Sequence, residues 1–493
     1  MKKEKLIVSN RAALEKKYGA KHTSILKDLK AIQAADKKRG LISEIIFLDD
    51  AAVMKKYKSA AVKTAGSAKQ NKLAIDGLFK HFQPDYLMIA GAQDIVPFQP
   101  LENLLFGEDD EDQLIHSDLP YACETAYSTN PGKFVSPTRV VGRLPDVPGG
   151  KDPAYFHSLV ADITGNKPGK QQDYRKYFSI SVHDWRLSTQ ESLHNIFGDN
   201  ASLQLSPLLG PEWTSTQLKA KTHFINCHGA LDDPSYYGQK GKKFPEALRS
   251  SLLSRKISKG SIVAAECCYG AQLYDPAKTE TAHLSIASNY LLNHAIAFAG
   301  SSTIAYGPAK GQGLADLLTQ YFLINTIKGA STGRAFLEAR QRFLDEMGPA
   351  LDPYELKTIA QFYLLGDPSL VAVAMPARAM EDQRRNRRDG MMAKGVALSA
   401  FISVPKPLKE KKEDTAVSAF LKRRKMPQKL NKKVFINETK SSPLTRGMKS
   451  FTAPVKFHVY SASTVHGKFK STNVLVVKER NGEILGHREY VRR

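Results

Sequence analysis

Three of the four cysteines in this 493-residue chain lie at the ends of two apolar segments. The segment "THFIN" is followed by Cys227 and His228, and the segment "SIVAA" is followed by Glu266, Cys267 and Cys268. A thiolate is a strong nucleophile, and a neighbouring imidazole can take up the thiol proton or hold the thiolate as an ion pair. These residue types therefore indicate covalent catalysis by a cysteine.

The positions of His228 and Cys268 agree with a site at the edge of a parallel sheet. In open α/β sheets, loops at the carboxyl ends of neighbouring strands build the ligand-binding crevice, and adjacent strands lie about 4.8 Å apart. We therefore expect both side chains to face one crevice. The backbone N–H groups of Gly229 and Cys268 are the candidates for an oxyanion hole, since such donors stabilise the charge of a tetrahedral intermediate.

Metal binding is the alternative chemistry for Cys227, His228, Cys267 and Cys268, because zinc prefers these residue types. The four residues come as two adjacent pairs, without a Cys-x-x-Cys spacing. Adjacent side chains on a strand point to opposite faces, so a single group of four ligands is not expected. The sequence favours a site without metal or cofactor, with Cys227 and Cys267 as small core residues and Cys268 as the nucleophile.

Asp184, in the segment "SVHDWRLS", is the candidate for substrate binding. It follows a predicted strand, and its carboxylate could pair with a basic group of the substrate. It could instead orient His228, or serve only as an acid at the amino-terminal end of the next helix. Asp232 and Asp233 fit a solvated turn better than a site, and Trp185 fits the core better than a pocket wall.

The elements that must position these side chains alternate between strand and helix patterns. Apolar strands such as "EKLIVSN" and "LISEIIFL", separated by helical segments, predict a parallel sheet covered on both faces. A Pro- and Gly-rich stretch ending near residue 150 predicts the boundary between a smaller α/β subdomain (1–150) and the subdomain that carries the site (151–375).

Three local predictions accompany this division. The helix in "STQESLHNIFG" is expected to begin with Ser188 or Thr189 as its N-cap. The segment "IAQFYLLGDPSL" is expected to close the second subdomain with a helix and a Gly-Asp-Pro turn. The acidic segment 107–113 is expected to be a solvated loop.

Charge separates the carboxyl-terminal part of the chain from the rest. Residues 381–493 hold 27 Lys and Arg against 10 Asp and Glu, whereas the preceding residues hold 45 against 39. We expect a basic, partly flexible linker at 376–450 and a small β hairpin unit at 451–493, with its turn at Asn481 and Gly482. Such a tail could bind an acidic partner or nucleic acid through its charge, although no nucleic-acid-reading motif accompanies it.

Cysteine usage and hydropathy suggest the cellular location. Four cysteines, two of them adjacent, do not form a disulfide framework, which favours a reducing compartment. No signal-peptide pattern and no apolar run long enough to span a membrane stand out. The sequence therefore predicts a cytoplasmic protein.

Several segments, taken in order, resemble the caspase-like cysteine peptidases of clan CD. A strand leading into His-Gly, followed by a strand leading into Cys, is typical of that clan. The segment "ECCYG" is similar to the pattern Gln-Ala-Cys-x-Gly, which selects Cys268 over Cys267. Between residues 80 and 375 the chain is more similar to the gingipains, peptidase family C25, in "YLMIAGAQDIVPF", "SDLPYA", "VVGRLPD", "AIAFAGSSTIAYG" and "QFYLLGDPSL".

The resemblance implies a caspase-like three-layer α/β sandwich with a parallel sheet, preceded by a smaller α/β subdomain. It also implies an endopeptidase without a cofactor, which hydrolyses protein or peptide substrates through the His228–Cys268 dyad and a covalent thioester. Cleavage after Arg or Lys is expected if Asp184 lies in the S1 pocket. The alternative is an inactive or rarely active scaffold on the same fold, whose basic tail binds an acidic partner.

Overall fold

The computed structural model describes residues 3–375, 390–398, 400–409, 415–424, 430–437 and 453–493. Much of the predicted linker at 376–450 therefore lies outside the described residues. Within the described ranges, no helix has both the length and the apolar composition needed to cross a bilayer.

The strands of the described chain are, in order, β1 (Lys5–Ser9), β2 (Ser43–Phe47), β3 (Tyr86–Ala90), β4 (Gln99–Glu102), β5 (Leu114–Ser117), β6 (Val141–Leu144), β7 (Tyr177–Val182), β8 (Leu203–Ser206), β9 (Thr222–Asn226), β10 (His228–Gly229), β11 (Ser235–Tyr237), β12 (Glu246–Arg249), β13 (Ser261–Ala265), β14 (Ala295–Ser301), β15 (Tyr306–Gly307), β16 (Phe362–Gly366), β17 (Lys406–Pro407), β18 (Asn431–Asn437), β19 (Val455–His466), β20 (Phe469–Arg480) and β21 (Glu483–Arg492). The α-helices are α1 (Arg11–Tyr18), α2 (His22–Lys38), α3 (Ala51–Lys56), α4 (Ala68–Phe82), α5 (Ala154–Thr164), α6 (Gln171–Arg175), α7 (Arg186–Phe197), α8 (Ser215–Leu218), α9 (Ile286–Leu292), α10 (Ala315–Ile327), α11 (Thr332–Met347), α12 (Pro353–Gln361) and α13 (Thr415–Arg423).

A ten-stranded, mostly parallel sheet forms the centre of the molecule, in the order β2-β1-β3-β6-β16-β14-β13-β9-β7-β8. Every residue of β1, β6, β7, β9, β13, β14 and β16 is buried. Such strands need cover on both faces, which two groups of mutually packed helices provide: α2, α5 and α9, and α7, α10 and α11. The expected α/β sandwich is confirmed.

The sheet runs without a break through both predicted subdomains. Strand β6 pairs with β3 on one side and with β16 on the other, so the first 150 residues and the following segment share one sheet. The sheet is therefore not interrupted at residue 150, and the boundary between two subdomains at that position stays a prediction.

One of the local predictions is wrong, and a second is right only in part. Helix α7 begins at Arg186, two residues before Ser188, and follows a 3₁₀ turn at His183–Trp185. Ser188 lies inside the helix, where its hydroxyl donates a hydrogen bond of 2.9 Å to Asp316 instead of capping the helix. The segment "IAQFYLLGDPSL" begins in α12 and ends in a turn closed by the Leu370 N–H and the Asp367 carbonyl, as expected. Between them, residues 362–366 form strand β16, antiparallel to β14, because this buried apolar run completes the sheet.

A six-stranded sheet contains most of the carboxyl-terminal strands, in the order β15-β21-β20-β19-β18-β17. The predicted turn between β20 and β21 is confirmed, with Asn481 and Gly482 both at positive φ (53° and 80°). The unit is larger than a hairpin, since β17 and β18 extend it at one edge and β15 of the central domain at the other. Its residues Phe457 and Val476 belong to the same apolar core as the central sheet, so this region packs as part of the body.

The acidic loop 107–113 is solvated only in part: Glu108 and Glu111 are exposed, as expected, but the loop also makes contacts that the sequence did not predict. Asp110 is buried, and Glu111 forms ion pairs of 2.8 Å with both Lys470 and Arg492. The loop therefore links the central domain to the carboxyl-terminal sheet, and its charges are complementary to the basic residues predicted there.

Candidate active site

The two predicted catalytic residues lie at the ends of neighbouring strands. Strands β9 and β13 are parallel partners in the central sheet, with His228 just beyond β9 and Cys268 just beyond β13. A Cβ atom at Gly229 would lie 1.8 Å from the Cys268 carbonyl oxygen. The His-Gly segment therefore packs directly on the cysteine loop, at a separation that only glycine permits.

The side chains of both residues face one carbonyl group, that of Arg493. The Cys268 thiol contacts the Arg493 carbonyl oxygen, and the His228 imidazole lies beside the Arg493 backbone. The Ala305 N–H donates to the Cys268 sulfur at 3.3 Å. The thiol and the imidazole therefore both lie against the main chain of Arg493, at the place where a peptide substrate would have to lie.

An amide side chain orients the imidazole. The His228 Nε2 atom lies 2.8 Å from the Gln239 Oε1 atom, so Nε2–H donates to Gln239 and Nδ1 faces the centre of the site. The Gln239 amide donates to the Gly241 carbonyl at 2.8 Å, and the Gly241 N–H donates to Asp184 at 2.9 Å. The hydrogen bonds of Asp184 in the described chain go to Gly241 and His183, so Asp184 meets His228 only through the loop that carries Gln239.

Burial sets the protonation of both groups in this state. It raises the pKa of Cys268 to about 11, an effect that the nearby Arg492 partly offsets. It lowers the pKa of His228 to about 4, although the hydrogen bond with Gln239 acts in the opposite direction. At neutral pH the thiol and the imidazole are therefore both uncharged while the cleft is filled.

A closed pocket beside Cys268 holds the Arg493 side chain, which is 1% exposed. Its Nη2 atom donates to Asp316 Oδ1 at 2.7 Å and to the Pro308 carbonyl at 3.0 Å. The guanidinium lies 4.7 Å from the centre of the Trp185 ring, so Trp185 forms a pocket wall, contrary to the expectation of a core role alone. A Cβ atom at Gly307 would lie 2.3 Å from Nη2, which shows that bare backbone forms another wall.

Two buried carboxyl groups, those of Glu266 and Asp316, line the pocket. Glu266 Oε2 lies 3.9 Å from the Arg493 Nη2 atom, and Thr319 donates to Glu266 Oε1 at 2.9 Å. Burial raises the pKa of Glu266 well above its usual range, the Asp316 carboxylate raises it further, and Arg493 lowers it. The pKa of Asp316 is also raised by burial, with Arg493 acting against that rise. Two buried acids of this kind favour a cation between them.

Sequence reasoning missed these pocket residues, although two of them carried a signal. Glu266 stands in "ECCYG" directly after a buried strand, and Asp316 is the one acid in the apolar run "GLADLLTQYF". Gln239, in the loop segment "YGQKGKK", has no such signal. The roles of Gly229 and Cys268 as oxyanion donors remain predictions.

The remaining candidates take structural positions. Asp232 accepts a hydrogen bond from Gln272, and Asp233 accepts one of 2.9 Å from the Tyr237 hydroxyl. Cys227 is a buried free thiol, as is Cys267. Within the part of the chain that the structure describes, no three His, Cys, Asp or Glu side chains are grouped so as to hold a metal ion.

Comparison with known proteins agrees with the general class of this site. Residues 247–373 match the model of peptidase family C25, which confirms the resemblance over that segment and supports a cysteine peptidase in general. No curated protein matches the chain.

Solved structures give weaker likenesses. A structure described as that of a protease has a TM-score of 0.48 and 13% identity, covering 98% of this chain and 96% of that one. The Saccharomyces cerevisiae separase–securin complex has a TM-score of 0.30 and 14% identity, covering 48% of this chain and 14% of that one. Since both TM-scores lie below 0.5, neither likeness supports a more specific assignment.

Proposed function

We propose that this protein is a cysteine endopeptidase that cleaves peptide bonds after arginine, with Cys268 as nucleophile and His228 as general base and acid. One observation carries the proposal: the Arg493 carbonyl lies against the thiol while the Arg493 side chain fills an acidic pocket beside it. An arginine in this position corresponds to the P1 residue of a substrate, and the pocket corresponds to S1.

The proposed reaction follows from the contacts of the two residues. His228 takes the proton from the Cys268 thiol as the sulfur attacks the carbonyl carbon, and the oxyanion turns toward the N–H groups of Gly229 and Cys268. Collapse of the intermediate breaks the C–N bond, and His228 gives its proton to the departing amine. Water, activated by the same imidazole, then hydrolyses the thioester, which releases the carboxylate and restores the thiol.

The pocket favours arginine over lysine for two reasons. A guanidinium is planar and can stack on Trp185, and its several N–H donors can reach more than one acceptor at the same time. Asp316 and the Pro308 carbonyl already accept from a single nitrogen of Arg493. A lysine ammonium is a compact charge, so it would keep the ionic attraction to Asp316 and lose the stacking.

In this proposal Asp184 acts through its neighbours. Its carboxylate accepts the Gly241 N–H, and Gly241 accepts from Gln239. Asp184 therefore helps to fix the loop that orients His228, while Asp316 and Glu266 take the part in substrate selection that the sequence had suggested for Asp184. This departs from the sequence prediction and needs its own test.

Peptides that differ only at P1 test the proposal. We expect cleavage after Arg, weaker cleavage after Lys, and little after the uncharged isostere citrulline. Cys268→Ala should abolish cleavage, and Cys267→Ala should retain most of it. The assay uses both the chain as it is and an Arg493→Ala variant with an empty pocket. If neither form cleaves any peptide while both remain folded, the scaffold alternative is favoured.

A further inference from the structure

Strand β21 lies in the cleft as a substrate strand would. It pairs antiparallel with β15 through Tyr306–Arg492 and Gly307–Val491, and the Arg493 N–H donates to the Ala305 carbonyl at 2.9 Å. Addition of a peptide strand to an exposed sheet edge is a general mode of peptide recognition, in which the backbone supplies affinity and side-chain pockets supply selectivity.

Three side chains at the end of β21 are anchored in separate places. Arg493 fills the acidic pocket, while the Arg492 guanidinium pairs with Glu111 at 2.8 Å on the side of the acidic loop. The Tyr490 hydroxyl donates to a buried carboxylate, Asp352, at 2.9 Å. The segment is therefore held in register with the thiol by specific polar contacts and by its backbone.

The turn between β19 and β20 covers the other side of His228. The Phe469 ring stacks on Phe244 with 4.9 Å between ring centres and lies 6.3 Å from the imidazole. Lys468 forms an ion pair of 2.9 Å with Asp233, beside the His-Gly segment. The carboxyl-terminal sheet thus contacts the cleft at two separate points.

We propose that residues 488–493 are an intramolecular ligand of the substrate cleft, which keeps the peptidase closed until the last two residues, Arg492 and Arg493, are displaced. The inference rests on the proposed function in identifying the cleft as the one that binds substrate. The occupant is the chain's own basic segment, and the ligand class of the cleft is an extended peptide with arginine at the thiol.

Tethering makes such a ligand effective. A tethered segment can reach an effective concentration in the millimolar range, well above that of most free peptides. A substrate must pair with the edge of β15 and place an arginine in the acidic pocket, and residues 488–493 already occupy both places. Its release is local, since only two residue pairs join β21 to β15, whereas β20 pairs with β21 along most of its length. Pairing with β20 ends at Val491, so Arg492 and Arg493 can leave the cleft while residues 488–491 stay in the hairpin.

The rate at which Cys268 is alkylated measures how far residues 488–493 occupy the cleft. Native protein is treated with iodoacetamide, and the adduct is located by fragmentation of the proteolytic peptide in a tandem mass spectrometer, which separates Cys268 from the adjacent Cys267. Arg493→Ala should alkylate at least tenfold faster than the unchanged chain. Arg342→Ala is the matched control, because it removes the same charge from an exposed ion pair with Glu346 on α11, worth about 0–1 kcal/mol, so its rate should change less than about fivefold.

Restoring the ligand in trans provides a second measurement. The hexapeptide of residues 488–493 should slow alkylation of the Arg493→Ala chain, and the same peptide with alanine in the last position should not. Equal alkylation rates for the unchanged chain and Arg493→Ala, or no effect of the hexapeptide, would refute the inference. Fast alkylation of Arg493→Ala without cleavage of any peptide would instead refute the peptidase proposal and leave the occupied cleft in place.

Discussion

Asp316→Asn tests whether the acidic pocket selects arginine by charge. The substitution keeps the size of the side chain and an oxygen that can accept from the substrate guanidinium, but it removes one of the two carboxylates in the pocket. It is best made in the Arg493→Ala chain, where the protein's own arginine does not compete with substrate. Asp345→Asn is the matched control, since its carboxylate is largely exposed on α11.

The size of the effect follows from the geometry. Asp316 accepts from the arginine at 2.7 Å, whereas Glu266 is 3.9 Å away and cannot replace that hydrogen bond without moving. Hydrogen bonds to charged groups contribute about 1.5–3 kcal/mol. At about 1.4 kcal/mol for each factor of ten, kcat/KM for an arginine peptide should fall about 10- to 150-fold.

The assay compares arginine and citrulline peptides of otherwise identical sequence. The citrulline peptide lacks the charge, so its slow cleavage should change less than about threefold if Asp316 acts through charge. An equal loss for both peptides would show that Asp316 supports the fold of the pocket and does not read the substrate. An unchanged kcat/KM for arginine would refute the pocket assignment, since the carboxylate at 2.7 Å is its main ionic contact.

Three further outcomes are expected. Gln239→Ala should lower kcat with little change in KM and should shift the acidic limb of the pH–rate profile. Gln239→Asn should recover less activity than Gln239→Glu, because glutamate keeps an acceptor at the same distance from His228. An unchanged pH–rate profile for Gln239→Ala would refute the positioning role of Gln239. Gly307→Val should block cleavage after arginine, because the valine side chain would occupy the place of the guanidinium. If the variant still cleaves after arginine, Gly307 does not form a wall of the substrate pocket. Burial lowers the pKa of His223 to about 4. The free energy of unfolding should therefore decrease as pH falls from about 6.5 to 4, because His223 of the unfolded chain binds its proton at a higher pH than His223 of the folded chain. At about 1.4 kcal/mol per pKa unit, this decrease amounts to about 3 kcal/mol. Urea unfolding of His223→Gln across this range should show a correspondingly shallower slope, and an unchanged slope would place the titration elsewhere.

The sequence was informative where chemistry and local structure coincide. Cys268 and His228 each follow a short apolar run, and strands of that kind pair in parallel with their active residues at one edge. That reasoning required only local patterns and one topological rule. It therefore led to two neighbouring strand ends, which the structure confirms as partners.

Contacts between distant parts of the chain were not accessible in the same way. Arg493 reaches a thiol 225 positions earlier in the chain, and nothing local to Asp316 shows that its carboxylate faces this thiol's pocket. The carboxyl-terminal region was expected to be an appendage because of its charge. Net charge does not reveal which face of a strand is buried, and alternate residues of β19 and β20, such as Val459 and Val476, pack into the core.

Because the acidic loop is partly exposed, ionic strength should affect its ion pairs more than the buried ion pair in the arginine pocket. Glu111 is 49% exposed, and its partners Lys470 and Arg492 lie at the surface edge of the cleft. Dissolved salt screens such pairs over a Debye length of about 10 Å at 0.1 M, but it acts much less on buried pairs such as that of Asp316 with Arg493. Raising the salt concentration should therefore loosen the rim of the closed cleft while the arginine pocket keeps its attraction for a cation.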